Sequence, residues 1–569
     1  MEEAEQPGAD RTSFAQSRPR LPLIIAAFVL PVLVGTVLSG GTIRENSATY
    51  DEVAYVRIAC RWWRTGDQTE ITRMGSPVTF WKWQALPALV IMDATGRGRW
   101  IDEPRRSLPD SLPWFRASAA WLWFAGLGIV QLWSYRAYGT SAAFCAGLLY
   151  ALGPNLRAHG SLMTMETPLW TFIALATMCL CESIRTGRIG WRVASGVAAG
   201  AAFSMKFTAV ALPVLFAGIV AVHEIYERSE TPGPIRSKTI THASINAFRF
   251  GCGFALVMIL TNLVLTGFAT IAPSERTGHH PWLESRFHPA IAGNLASVLE
   301  TPLPVDWVGF ATQMRHQRSG GPSYLLGETS NQGWPWYYLV AMLVKCPPVI
   351  LGIMAIRPWL ARLQDRPEEW VVPLLCLAFI AAACLSSKRN YGYRYLLPLA
   401  PIAIVWLSAI AEQPRRRFLA IFAVAATAWA TASSHPYELT YFNVLAGGNT
   451  GGHRILADSN LDWGQGLIGF RKLLAERPEL NDITLFAFGD IEPATYGLEV
   501  ESYGVDASDN DEHLPMTVQD CRTKYVAISS SLIFGPWGPK GYFRQFENEP
   551  PVATTSDGTI RVYRRLAER

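Results

Sequence analysis

Long apolar stretches recur along most of this chain, and they constrain its fold more than any other feature. A bilayer-spanning helix needs about 20 mostly apolar residues, because lipid leaves backbone polar groups no partner outside the segment. Stretches of this kind lie near 21–40, 116–136, 139–155, 164–182, 190–206, 208–224, 250–270, 336–356, 370–386, 394–411 and 417–434. The expectation is a polytopic α-helical membrane protein with roughly eleven spans. Half of the residues are hydrophobic and 17% are charged, a balance too apolar for a soluble enzyme. A net charge of +4 over 569 residues forms no concentrated basic stripe, so no nucleic-acid partner is expected.

The connections sort by charge. Arg18 and Arg20, Arg136, the group Arg185, Arg188 and Arg192, and the group Arg228, Arg236 and Lys238 all fall on one side. Arg357, Arg362 and Arg366 and the run Arg415, Arg416 and Arg417 join them. The positive-inside rule makes that side cytoplasmic. Residues 1–20 then form a cytoplasmic tail and 21–434 a membrane domain, while segments 41–115, 271–335 and 435–569 lie outside. An odd number of spans places the C-terminal segment on the same side. The first apolar stretch lacks a small-residue cleavage site and reads as a retained span.

Within the first outer loop, Val53, Val56, Cys60 and Trp63 recur at helical spacing, with Arg57, Arg61 and Arg64 on a neighbouring face. This predicts a helix lying in the membrane interface. Val78 to Met92, with Trp81 and Trp83, reads the same way. After Ser434 the pattern changes: Leu467 to Ala475 predicts a helix, and Ile483 to Phe488 and Lys524 to Ile528 predict strands. A small α/β domain over 435–569 follows.

Candidate chemistry begins with Asp51 and Glu52, two carboxylates at a membrane edge, where ionisable groups are costly. Thr49-Tyr50-Asp51-Glu52 fits a capping box, which accounts for Glu52 but requires no acid at position 51. The functional alternative is a general base for an acceptor hydroxyl. Lys206 sits at the outer end of its span, as an anion ligand or a snorkelling lysine. Lys388, Arg389 and Arg394 occupy a short outer loop with Tyr391, Tyr393 and Tyr395, against the charge bias of outer loops, which favours anion binding. Arg157 and His159 lie in another outer turn before Glu166, and His159 either meets an anion or faces solvent. His279, His280, His288 and His316 match no tight metal spacing, and a divalent metal is left open. Ser319-Gly320-Gly321 and Trp334-Pro335-Trp336 predict a mobile flap with aromatic anchors. Asp458 and Asp462 either position a sugar or fix a turn. Seven cysteines lie in apolar stretches, whereas Cys60 and Cys521 fall outside them and are open to pairing in an oxidising compartment.

An acidic pair in the first outer loop, an interfacial helix and many spans together resemble the GT-C membrane glycosyltransferases. The likeness is to the dolichyl-phosphate-mannose protein mannosyltransferase family and its bacterial aminoarabinose and arabinose transferase relatives. Further stretches carry it: Met163-Thr164-Met165-Glu166-Thr167-Pro168-Leu169, Phe203-Ser204-Met205-Lys206-Phe207-Thr208, and Tyr393-Arg394-Tyr395-Leu396-Leu397-Pro398. The most specific runs from His435-Pro436-Tyr437-Glu438 to Asp458-Ser459-Asn460-Leu461-Asp462-Trp463-Gly464-Gln465. One position departs, since relatives often carry Asp where this chain has Glu166.

The resemblance implies a GT-C fold and a sugar donor carried on polyprenyl phosphate, with a glycan, lipid or protein as acceptor. It implies Asp51 as catalytic base with Glu52 beside it, and Lys206, Arg389, Arg394 and His159 at the donor phosphate. Glu166, Tyr393, Asp458 and Asp462 would bind the acceptor or position groups. Transfer would invert the anomeric centre at the outer face of the cytoplasmic (inner) membrane. The rival reading is a multi-span transporter of a lipid or envelope precursor. Transporters place ionisable groups near the midplane in broken, repeated helices, whereas here the unusual charges gather at the outer ends of the stretches. A non-catalytic scaffold would leave Asp51, Lys206, Arg389 and Arg394 without a joint purpose.

Overall fold

The computed structural model describes residues 21–229, 237–272, 285–360, 366–386, 388–505, 517–538 and 541–565. Arg18, Arg20, Arg236, His279, His280 and Arg362 lie outside them. Among the described residues, five helices are long and apolar enough to cross a membrane: Leu21–Glu45, Glu166–Thr186, Phe207–Glu227, Ile240–Leu265 and Glu368–Leu385. The pair Tyr337–Lys345 and Pro348–Leu360, bent by 112°, makes a sixth if it is one span. The remaining expected stretches are helical too. Thr140–Leu152 and Leu399–Ala411 are apolar but short, and Leu108–Tyr138, Ile189–Met205 and Arg417–Ala432 complete the set.

Lipid as solvent shows in what these helices leave uncovered. Val37, Val214 and Leu385 are each more than three-quarters exposed, and such side chains line whole helix faces. Faces this apolar are not stable in water. Backbone satisfaction follows the same logic. Pro31 lies inside the first helix and has no N–H, which orphans the carbonyl of Ala27 one turn earlier. Gln131 repairs this from Leu108–Tyr138, its Nε2 donating to Ala27 O at 3.0 Å and Phe28 O at 3.2 Å. Small residues let helices approach closely. A Cβ on Gly200 would lie 2.5 Å from Thr261 Cβ, across the contact between Ile189–Met205 and Ser237–Leu265.

Both segments expected as interfacial helices are helical, as Tyr50–Thr65 and Phe80–Ala94. Val53, Val56 and Cys60 are buried against Trp81 and Leu89, as their spacing predicts. The arginine face is paired rather than simply solvated: Arg57 meets Glu70, Arg61 meets Asp67, and Arg64 bridges Asp93 and Asp102.

The C-terminal segment builds a five-stranded sheet in the order Glu501–Val505, Ile483–Phe488, Tyr525–Ser529, Ile560–Arg564, Ala553–Thr554. The first three strands are parallel, and the last two attach antiparallel. Ile483–Phe488 and Tyr525–Ser529 are buried on both faces, which explains their continuous apolar sequence. Phe486, Phe488, Val526 and Ile528 face one core, shared with Ala158 and Leu162 of the helical body. Leu485, Ala487 and Ala527 face the other, under the helix Leu467–Glu476.

The 319–335 stretch, expected as a mobile flap, carries regular pairing. Ser323–Leu325 and Glu328–Ser330 pair as a hairpin, and Gly321 N–H donates to Asn331 O at 3.0 Å. Cys60 and Cys521 are both free thiols, buried in separate apolar clusters.

Candidate active site

Asp51 is the second residue of Tyr50–Thr65, and the preceding backbone is clamped before that helix begins. Ser47 N–H donates to Gln465 O at 3.0 Å, Tyr50 N–H to Trp463 O at 2.8 Å, and Ala48 N–H to the Tyr496 hydroxyl at 2.8 Å. The long Asp458–Gln465 motif thus holds the Asp51 helix in place. Asp462 anchors that motif: its carboxylate accepts from Gly464 N–H at 3.1 Å and Ser531 N–H at 2.9 Å. These bonds fit the turn reading of Asp462, and they tie the motif to the start of Ser530–Ile533. Burial pushes the Asp462 pKa up to about 7.

Glu52 points away from its neighbour. Its carboxylate accepts from Thr49 N–H, from Met163 N–H, and from Arg116 at 2.9 and 2.7 Å. Both partners of this ion pair are fully buried. The capping box expected from sequence is present, so the catalytic reading of Glu52 is corrected to a positioning one. Arg116, which the sequence reading passed over, also donates to the carbonyls of Ile43, Asn46 and Ser47. Its only sequence signal was an arginine at the mouth of an apolar stretch.

Four charged side chains converge on one cavity of about 310 Å³. Arg394 Nη1 lies 3.1 Å from Asp51 Oδ2 and 3.9 Å from Glu166 Oε1. Lys206 Nζ lies 2.9 Å from Glu166 Oε1. Asp51 keeps 25% of its side-chain surface, against 12% for Arg394, 11% for Lys206 and 2% for Glu166. Asp51 is therefore the acid most open to a reactant. Burial raises its pKa above the ordinary carboxylate value, against the charge and hydrogen bond of Arg394. Aromatic rings hold the cations: Arg394 lies 4.2 Å from the Trp463 ring centre, and Lys206 lies 4.3 Å from that of Tyr395.

The cavity also has apolar walls. Val210, Leu215, Phe379 and Ala383 line it, from Phe207–Glu227 and Glu368–Leu385, two of the candidate spans. Phe310, Gln313 and Gln317 of Val305–Ser319 close another side. Asp306 holds that helix in place, accepting from Val78 N–H at 2.9 Å and from Asn262 at 2.8 Å.

Other expected residues fall elsewhere. His159 is buried beside Trp463 and does not line the cavity. Burial lowers its pKa to about 3. Arg389 donates to Gly320 O at 2.8 Å and braces the hairpin instead of the cavity. Tyr393 faces a separate apolar cavity with its hydroxyl on Cys346 Sγ, and Tyr395, two residues on, lines the charged cavity. Asp458 stands near Arg394 and Asp51 but does not line the cavity, and its Oδ1 accepts from Trp537 Nε1 at 3.0 Å. Among the described residues, no group of three or more His, Cys, Asp or Glu is arranged to hold a metal ion.

A family model described as dolichyl-phosphate-mannose-protein mannosyltransferase matches residues 117–235, the stretch that holds Glu166 and Lys206. The family is the one that the sequence motifs resemble. Among solved structures, ArnT from Cupriavidus metallidurans bound to undecaprenyl phosphate aligns at 13% identity and a TM-score of 0.45, over 95% of this chain and 98% of that one. The apo state of the same protein gives 15% and 0.47. Archaeal oligosaccharyltransferase AglB from Archaeoglobus fulgidus, in complex with an inhibitory peptide and a dolichol-phosphate, aligns at 11% and 0.45, over 96% of this chain and 74% of that one. No curated protein sequence matches the chain.

Proposed function

We propose that this protein is an integral membrane glycosyltransferase that moves a sugar from polyprenyl phosphate to an acceptor hydroxyl. One observation carries the reading: Asp51, Lys206 and Arg394 line a single cavity that apolar side chains of two candidate spans line as well. A phosphate headgroup fits the cations, and its lipid tail fits the apolar walls. The dolichyl-phosphate-mannose family match supports the same donor chemistry.

In the proposed reaction, the donor phosphate draws Arg394 and Lys206 toward its oxygens and loosens the Arg394 grip on Asp51. Asp51 then takes the proton of the acceptor hydroxyl as that oxygen bonds to the anomeric carbon. The bond from that carbon to the phosphate oxygen breaks, and the phosphate leaves with the electron pair, held by the two cations. One displacement from the opposite face inverts the configuration. Glu166 keeps both cations oriented while the site is empty.

The charge pattern of the loops supports eleven spans, with residues 1–20 in the cytoplasm and 435–569 outside the cytoplasmic membrane. The site then opens outward. The test is single-turnover transfer by purified protein in lipid nanodiscs supplied with a panel of polyprenyl-phosphate sugars and mixed envelope acceptors. Asp51→Asn should lower the chemical step by about 10²- to 10⁴-fold while donor binding survives. Transfer at the wild-type rate by folded Asp51→Asn protein would remove Asp51 as base. Movement of unchanged lipid-linked sugar across proteoliposomes, with no sugar transferred, would establish the transporter instead.

A further inference from the structure

One feature beside the site has no part in the mechanism above. Asp458 takes a left-handed backbone conformation, φ 57°, which a non-glycine residue adopts at a cost. That conformation turns its carboxylate toward the indole of Trp537, which donates at 3.0 Å. The hydrogen bond sets the angle of the Trp537 ring. Tyr391 lies 6.1 Å from that ring, Phe488 stacks on it at 6.0 Å, and Tyr50, adjacent to Asp51, stacks on Phe488 at 5.9 Å. Trp537, Tyr391 and Tyr50 each keep part of their surface exposed, whereas Phe488 is buried beneath them. The result is an aromatic band that ends beside Asp51, with a carboxylate at its centre that feels the charges of both Asp51 and Arg394.

We propose that this band is the acceptor platform and that the acceptor is a saccharide, an inference that rests on the transferase reading above. A pyranose ring has an apolar C–H face, which suits the electron-rich face of an indole or phenol ring, and hydroxyls at its edge, which suit a carboxylate acceptor. Trp537 and Tyr391 supply the faces, and Asp458 supplies the acceptor next to the base that must receive the hydroxyl proton. A peptide fits less well. Extended peptides bind by adding to an open sheet edge, but the strand that reaches the band, Ile483–Phe488, is paired on both sides.

The experiment is saturation-transfer NMR on the full chain in detergent. The probes are soluble manno-, gluco- and galacto-oligosaccharides, set against serine- and threonine-containing peptides. The expected result is saturation of sugar ring C–H protons, with affinity falling at least tenfold in Trp537→Ala and in Asp458→Asn. Trp537→Phe, which keeps a ring but loses the bond to Asp458, should give an intermediate loss and guards against misfolding of the alanine variant. Peptide binding that depends on Trp537 with no saccharide binding would overturn the proposal, as would saccharide binding indifferent to both residues. Because no donor is present, the outcome is separate from the transfer assay. Saccharide binding without transfer would leave a saccharide site but remove the transferase reading and with it the acceptor role, and transfer without saccharide binding would remove the platform alone.

Discussion

Replacing Arg116 with methionine removes the guanidinium while retaining a long side chain. Glu52, fully buried, then loses its bonds at 2.9 and 2.7 Å but keeps Met163 N–H at 3.0 Å, Thr49 N–H at 3.0 Å and the Thr49 hydroxyl at 3.1 Å. Removing one partner of a buried ion pair costs about 3–5 kcal/mol. The carbonyls of Ile43, Asn46 and Ser47 lose a donor as well, adding about 1 kcal/mol for any that stays dry. Three remaining donors on Glu52 and partial entry of water offset some of this. The expected loss is therefore about 3–4 kcal/mol, or two to three powers of ten in the unfolding equilibrium. A double variant, Glu52→Gln with Arg116→Met, leaves no buried charge and should lie about 1–2 kcal/mol above the single variant. Titration of the full chain with SDS in mixed micelles, followed by tryptophan emission, measures both. A single variant within about 0.5 kcal/mol of wild type, or a double variant whose loss equals the sum of its parts, would refute the reasoning. The same clamp sets the position of Asp51, so transfer should fall with stability.

Arg394→Lys keeps the charge but loses the planar fork that spans Asp51 and Glu166, so donor-dependent kcat/KM should fall by about 10- to 100-fold, measured with saturating acceptor. Asp462 supplies a pH test of the C-terminal anchor. Its folded pKa of about 7 lies above the ordinary value, so its contribution is complete at low pH and is lost as pH rises through 7. Unfolding midpoints should fall as pH rises from about 4 to 7 and level off above that, and Asp462→Asn should flatten that slope; an unchanged slope would exclude Asp462 as its source. Gly160→Ala places a Cβ 2.1 Å from Trp123 Cδ1, beneath a buried indole bonded to Leu156 O. Overpacking there should cost about 1–3 kcal/mol, read as a lower thermal midpoint, whereas Gly128→Ala, whose Cβ meets nothing within 4 Å, should cost little.

How far the site was legible depended on the range of the interaction. The capping box at Thr49 and Glu52, the apolar stripe of Val53, Val56 and Cys60, and the strand Ile483–Phe488 are local patterns, and each appears where its period placed it. Tyr393 and Tyr395 show the limit. Both belong to one short motif, but the turn at Tyr393–Leu396 sends Tyr393 toward Cys346 and Tyr395 toward Lys206. Periodicity over two residues in a tight 3₁₀ turn does not assign a face until the neighbouring elements are packed. Arg389 and Arg394 divide the same way, one to a carbonyl of the hairpin and one to Asp51.

The apolar stretches, their spacing and the arginine-rich connections were settled by the sequence alone, because hydrophobic length and helical period are properties of contiguous residues. So was the candidacy of Asp51, Lys206, Glu166 and Arg394, each an ionisable group where a bilayer makes charge expensive. Only the tertiary structure joined them. Asp51 and Arg394 stand 343 positions apart and meet at 3.1 Å because the Asp458–Gln465 segment grips the start of the Asp51 helix and sets Trp463 under Arg394. It also separated the adjacent carboxylates, since successive residues on a helix point about 100° apart. Glu52 therefore falls to Arg116 in the dry interior, and Asp51 falls to the cavity.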